Sequence, residues 1–164
     1  MTAHLLFTPG PTPTPQFITD AMSVATIHHR TPQFEAIFQQ TREKLIRLFN
    51  MPEVLLLASS GTGAMEAAVT NLTHKKILCI NAGKFGERFG KIASAHNIAH
   101  EVLNYEWDTP ADVNEVLQTL QQGGFDALAI QVCESAGGLR HDVENIAKAV
   151  KSFDPNISII ADGI

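Results

Sequence analysis

Cysteine, clustered positive charge and long apolar runs are all scarce in this chain, and each scarcity removes a class of protein. The two cysteines, Cys79 and Cys133, lie far apart inside apolar strand-like runs. That fits buried free thiols in a reducing compartment and not a disulfide framework. Twelve Lys and Arg stand against seventeen Asp and Glu, a formal net charge of −5. No block of five or six like charges occurs, so the electrostatic footprint of a nucleic-acid binder is missing. No run approaches the roughly 18 apolar residues of a membrane span, and the opening Met1-Thr2-Ala3-His4-Leu5-Leu6-Phe7 has no basic leader region. The expectation is a cytoplasmic protein without nucleic-acid or membrane partners. Seven histidines are present, but their one cluster, His28-His29-Arg30, has no Cys or Asp at ligand spacing, so no metal site is expected. There is no internal repeat and no low-complexity linker. What the chain does have is 164 residues of 45% hydrophobic composition, enough for one buried core.

Four of the eight prolines fall in Thr8-Pro9-Gly10-Pro11-Thr12-Pro13-Thr14-Pro15, a segment that can be neither helix nor central strand. Residues 1–14 therefore read as an extended arm. A helix is expected from about Pro15 through Ile18 and Met22. A longer one is expected over 32–50, where Phe34, Ile37, Phe38, Thr41, Leu45, Leu48 and Phe49 share a face. Beyond Pro52 the pattern alternates. Strand-like runs at 54–58, 76–80, 100–104, 127–133 and 157–161 are separated by helical patterns near 64–72, 85–96, 111–122 and 143–153. Asp108-Thr109-Pro110 would open the third of these helices and Gly123-Gly124 would close it. A βαβ series of this kind calls for an α/β fold, a mainly parallel sheet flanked by helices. Ligands of such sheets gather at the carboxyl edge.

Each strand end runs into small or polar residues. After the first comes Ser59-Ser60-Gly61-Thr62-Gly63-Ala64-Met65-Glu66. A strand leading through glycines into a helix offers free N–H groups and the positive dipole end, a phosphate site, although a Ser/Thr-capped tight turn looks the same. The segment is no dinucleotide fingerprint, since Glu66 stands where the third glycine belongs, and it lacks a P-loop lysine. Next, Asn81-Ala82-Gly83-Lys84-Phe85-Gly86-Glu87-Arg88 places Phe85 on a turn, suited to stacking on a planar ring. Phe85 also shares a helical face with Phe89 and Ile92 and is equally readable as core. In Cys133-Glu134-Ser135-Ala136-Gly137-Gly138, Ser135 is no nucleophile, because no histidine stands at a triad offset. Its hydroxyl can reach a ring oxygen, and the run is also ordinary turn chemistry.

Asp162 follows the apolar run at 157–161. A carboxylate at the end of a buried parallel strand can hold a pyridine nitrogen protonated, each charge favouring the other. A helix cap or turn aspartate is the plainer alternative. It is the company of the other clusters that favours a ring-nitrogen partner in pyridoxal 5'-phosphate chemistry.

Together Thr8-Pro9-Gly10-Pro11-Thr12-Pro13, His29-Arg30-Thr31-Pro32-x-Phe34, Ser60-Gly61-Thr62-Gly63-Ala64-Met65-Glu66, Asn81-x-Gly83-x-Phe85-Gly86-Glu87-Arg88 and Glu134-Ser135-x-x-Gly138 stand in the order seen in class V aminotransferases. The chain resembles the alanine–glyoxylate and serine–pyruvate branch of these pyridoxal-phosphate enzymes over essentially its whole length. The resemblance implies the N-terminal part of the aspartate-aminotransferase-like large domain, at 15–164, without its later strands or the small domain. It implies that Gly61, Thr62 and Gly63 hold the cofactor phosphate, Phe85 stacks on the ring, Ser135 lies near its phenolic oxygen and Asp162 partners the ring nitrogen. Gly10 would lie in a loop lining the substrate pocket. Ala136-Gly137 departs from the family's Ser/Thr-rich run and thins the hydrogen bonding there.

In relatives the Schiff-base lysine lies one strand beyond the aspartate, past Ile164, and the family sheet places two later strands between the strand corresponding to 54–58 and the last one present here. The segment alone is therefore expected to be inactive, with 54–58 left unpaired. The whole protein would be a homodimer moving an amino group from alanine, serine or aspartate to a 2-oxo acid such as glyoxylate or pyruvate. The rival expectation is a truncated, non-catalytic phosphate-binding or assembly module. Cysteine desulfuration would use the same half-site.

Overall fold

A computed structural model describes residues 5–163. Residues 1–4 of the expected N-terminal arm, and Ile164, lie outside the described residues. The chain divides into two compact units, Met1–Ala58 and Ser59–Ile164.

The first unit carries an extended proline-rich stretch followed by α1 (Gln16–Met22) and α2 (Pro32–Phe49). α2 has the signals the sequence advertises. The Thr31 hydroxyl accepts from Phe34 N, Pro32 opens the first turn, and Asn50 closes the helix in the left-handed conformation at φ 51°. Asparagine tolerates that conformation better than most residues. The strand expected at 54–58 does not form. Leu55 is 81% exposed and Leu57 50%, and among the described residues no strand pairs with the segment. A β-strand exists through its ladder, so an apolar run without one stays extended and unassigned.

The second unit is a three-layer α/β/α arrangement on a parallel sheet of order β2-β1-β3-β6. Its strands are β1 (Lys76–Asn81), β2 (Ala99–Asn104), β3 (Ala127–Gln131) and β6 (Ser158–Asp162). A two-residue hairpin, β4 (Cys133–Glu134) with β5 (Leu139–Arg140), stands apart. The sequence reads 127–133 as one strand. The structure breaks it at Val132, whose N–H bonds Asp162 O at 2.8 Å while its carbonyl accepts from His141 N at 3.0 Å. Cys133 is consequently half-buried, not buried as expected, whereas Cys79 is buried and both are free.

Helices cover both sheet faces. α5 (Val113–Gln121) and α6 (Val143–Phe153) pack with Leu78, Ile80, Leu128 and Ile130 on one side. α3 (Gly61–Leu72) and α4 (Gly86–Ala95) pack with Ile77, Cys79, Ala127 and Ala129 on the other. Consecutive residues of β1 and β3 point to opposite faces, which is why both strands read as unbroken apolar runs. Phe89, fully buried, anchors α4 to the second core, and its loss would cost about 3–5 kcal/mol.

Two helix starts differ from expectation. α5 begins at Val113, and its cap is Asp112, which accepts from Asn114 N and Glu115 N, not the Asp108-Thr109-Pro110 turn. α3 begins at Gly61 and not near Ala64, so Gly61, Thr62 and Gly63 form its first turn. Gly123 and Gly124 do end α5, both at positive φ, 89° and 85°.

Candidate functional site

All parallel strands of the second unit point their carboxyl ends the same way, so the segments after β1, β3 and β6 converge on one edge. The first turn of α3 faces that edge. Ser60 caps it in extended conformation but makes no side-chain cap bond. Gly61 has open space where a side chain would start, whereas a Cβ on Gly63 would fall 2.0 Å from Ser59 Oγ. Gly63 N and Ala64 N bond Ser60 O at 2.9 and 3.3 Å, so the turn offers the N–H groups of Gly61 and Thr62 and the positive end of the helix dipole. Arg88 of α4 adds a formal charge, donating from Nη1 to Thr62 Oγ1 at 2.8 Å.

The Arg88 guanidinium also lies over the Phe85 ring, 4.9 Å from its centroid. Phe85 is half-buried at the cap position of α4, so it is neither a core residue like Phe89 nor a freely exposed ring. A Cβ on Gly86 would meet Ile80 O at 2.8 Å, so glycine is what lets α4 start tight against the end of β1.

Asp162 closes the arrangement. Its strand pairs in register with β3, Gln131 opposite Asp162, and Gln131 Nε2 donates to Asp162 Oδ2 at 2.8 Å. Asp162 lines a shallow cavity of about 110 Å³ together with Ala64 of α3, Met65, Ala68, Phe89 and Ile160. The end of β6 and the start of α3 are therefore neighbours. A wider groove of about 660 Å³ opens beside β2 and α4, lined by Asn81, Lys91, His100 and Asn104. It is a broad open surface, and volume alone does not mark the chemistry.

Ser135 follows the hairpin strand β4 and is half-buried. The preceding Glu134 is fully buried. Its carboxylate accepts from Phe85 N at 3.0 and 3.2 Å, Gly86 N at 2.9 Å and Ala136 N at 3.5 Å. Nearby, His141 is also buried. Burial pushes its imidazole pKa down against the opposing pull of Glu134. Its Nδ1 accepts from Ala111 N at 3.0 Å, which fixes the neutral ring with its proton on Nε2.

Of the residues singled out in the sequence, Thr62 and Phe85 are linked through Arg88, with Gly61 and Gly63 in the same first turn, and Asp162 shares a cavity with Ala64 at the end of that turn. Gly10 belongs to the first unit. Sequence reasoning passed over Arg88 and Gln131. Arg88 was findable, because it stands three residues after Phe85 on one helical face. Gln131 was not, because only the β3–β6 register pairs it with Asp162. Among the described residues no group of three or more His, Cys, Asp or Glu could hold a metal ion, and no helix is long and apolar enough to cross a membrane.

The model of the class-V aminotransferase family matches residues 4–164. The chain belongs to that family. It is 55% identical over 161 residues to an uncharacterized aminotransferase of Helicobacter pylori strain 26695, covering 98% of this chain and 44% of that protein. It is 30% identical to the serine–glyoxylate aminotransferase of Hyphomicrobium methylovorum, covering 100% of this chain and 42% of the relative. Among solved structures, the subgroup IV aspartate aminotransferase of Thermus thermophilus superposes with a TM-score of 0.88 at 32% identity, over 96% of this chain and 45% of that one. The chain thus spans less than half the length of the relatives it matches. The fold is that of the aminotransferase large domain, represented in part.

Proposed function

We propose that residues 15–164 form the N-terminal part of the pyridoxal-phosphate-binding domain of a homodimeric aminotransferase. Its reaction transfers an amino group from a small amino acid, alanine, serine or aspartate, to a 2-oxo acid such as glyoxylate or pyruvate. Family membership supports the reaction class, and the names of the similar proteins, serine–glyoxylate and aspartate aminotransferase, support the substrate class. The observation that carries the cofactor reading is the first turn of α3, without a side-chain cap and joined to Arg88 at Thr62, whose Ala64 shares a cavity with Asp162.

The residues fit the cofactor. Within the turn Gly61-Thr62-Gly63, the backbone N–H groups of Gly61 and Thr62, the Thr62 hydroxyl and the adjacent Arg88 charge would hold the phosphate, while Gly63 N closes the turn on Ser60 O. Phe85 would give its ring face opposite the guanidinium to the pyridine ring. Ser135 would donate to the phenolic oxygen. Asp162, with Gln131 holding one carboxylate oxygen, would keep the proton on the ring nitrogen, because its negative charge favours the cationic neighbour. Pyridoxal phosphate, when bound, supplies the electron sink that stabilises negative charge on the amino acid's α-carbon. Gly10 would contribute to the substrate pocket.

The test is spectroscopic. Full-length protein loaded with pyridoxal phosphate should lose the absorbance of the pyridoxal form on addition of alanine, serine or aspartate, and regain it with glyoxylate or pyruvate. No spectral change with any of the three donors would end the proposal.

A further inference from the structure

Phe85 at the start of α4 has no capping side chain, and the backbone fills the places one would take: Glu87 N bonds Gly83 O at 3.0 Å and Arg88 N bonds Phe85 O at 3.1 Å. The two N–H groups left over, those of Phe85 and Gly86, are met from 49 positions along the chain, where the Glu134 carboxylate accepts from both with distances of 2.9–3.2 Å. The same carboxylate reaches Ala136 N at 3.5 Å, on the far side of Ser135. Glu134 is fully buried, and among the described residues no ion pair neutralises it. Oriented backbone N–H groups and the α4 dipole do that work. Gly83 makes the room, since a Cβ there would lie 2.5 Å from Glu134 Cγ.

We infer that Glu134 is a positioning residue for cofactor binding: a buried carboxylate at the end of β4 that holds the backbone of Phe85, and through it the stacking ring, in place beside Ser135. The inference rests on the reading of Phe85 given above. Glu134 touches neither cofactor nor substrate in this role and acts through Phe85.

A double-mutant cycle on the full-length protein separates this from general structural support. The Kd for pyridoxal phosphate is measured in wild type, Phe85→Ala, Glu134→Gln and the double variant, beside the Kd for inorganic phosphate. Gln retains one acceptor oxygen but turns an NH₂ toward backbone donors. Glu134→Gln should weaken pyridoxal phosphate about tenfold, equivalent to about 1.4 kcal/mol, leave inorganic phosphate within about twofold, and add nothing in the Phe85→Ala background. Gly83→Ala, which displaces the Glu134 side chain without removing it, should reproduce the pattern and serves if Glu134→Gln fails to fold. Additive losses, or equal losses for phosphate and cofactor, would overturn the inference while leaving the cofactor reading intact. Failure of the wild type to bind pyridoxal phosphate would overturn both.

Discussion

Replacing Asp126 by Asn should loosen the amino end of the sheet. Asp126 Oδ2 accepts from His74 N and Lys75 N, each at 2.9 Å, and Oδ1 accepts from Lys76 N at 3.1 Å. Its own backbone bonds Lys76 O at 3.0 Å and receives Ser158 N at 2.9 Å, so one residue ties the starts of β1, β3 and β6. Burial raises the carboxyl pKa, but the three backbone donors, aided by His74, outweigh it and hold the group below its ordinary value. Hydrogen bonds to a charged group contribute about 1.5–3 kcal/mol each when dry, and Asn keeps one acceptor in a partly wet site, so we expect a loss of about 2 kcal/mol. Because the folded pKa is depressed, the stabilisation is fully present above the unfolded value of about 3.9 and disappears as pH falls through the folded value. Urea unfolding of full-length wild type and variant should therefore show a constant gap from pH 7 down to about pH 4 that closes below it. Amide exchange at His74, Lys75 and Lys76 should speed up about 30-fold at neutral pH, the equivalent of 2 kcal/mol. A gap that stays constant to pH 3, or unaltered exchange, would show that the Asp126 carboxylate does not hold the starts of these strands.

Arg88→Ala removes the charge at Thr62 and the cation over Phe85. Inorganic phosphate binding, measured by calorimetry, should weaken about 5- to 30-fold, and unchanged affinity would contradict the anion site. Gly137→Ala would put a Cβ 2.1 Å from Trp107 O. Unfolding should show about 1–3 kcal/mol of destabilisation, and an unchanged midpoint would deny the close approach. Burial pushes the Cys79 thiol up to about 12. A thiol reagent at about pH 8 should therefore label the half-buried Cys133 first and Cys79 only on unfolding, an order that equal labelling rates would contradict.

The apolar runs of β1 and β3 were legible because burial on both faces leaves no polar position to confuse them. The parallel order was legible because helices intervene between strands. The 54–58 run failed as a strand for the opposite reason: composition carries β propensity, but pairing is supplied by other residues, and none of those described pairs with it. The kink at Val132 escaped because it depends on His141 and Asp162 meeting one residue's backbone from opposite sides. Among the candidate residues, Phe85 and Asp162 stand out through residue type and place after a strand, and Thr62 through the glycines on either side of it. Glu134's capping of a helix 49 positions away could not be seen locally.

If, as proposed, this carboxyl edge holds pyridoxal phosphate with Asp162 at the ring nitrogen, the protonation of that nitrogen depends on Asp162. The most direct measurement is the ¹⁵N chemical shift of ring-labelled cofactor bound to full-length wild type and to Asp162→Asn. A protonated nitrogen is expected in the wild type at neutral pH, with loss of that proton in the variant. An unprotonated nitrogen in the wild type, or the same shift in both proteins, would contradict it.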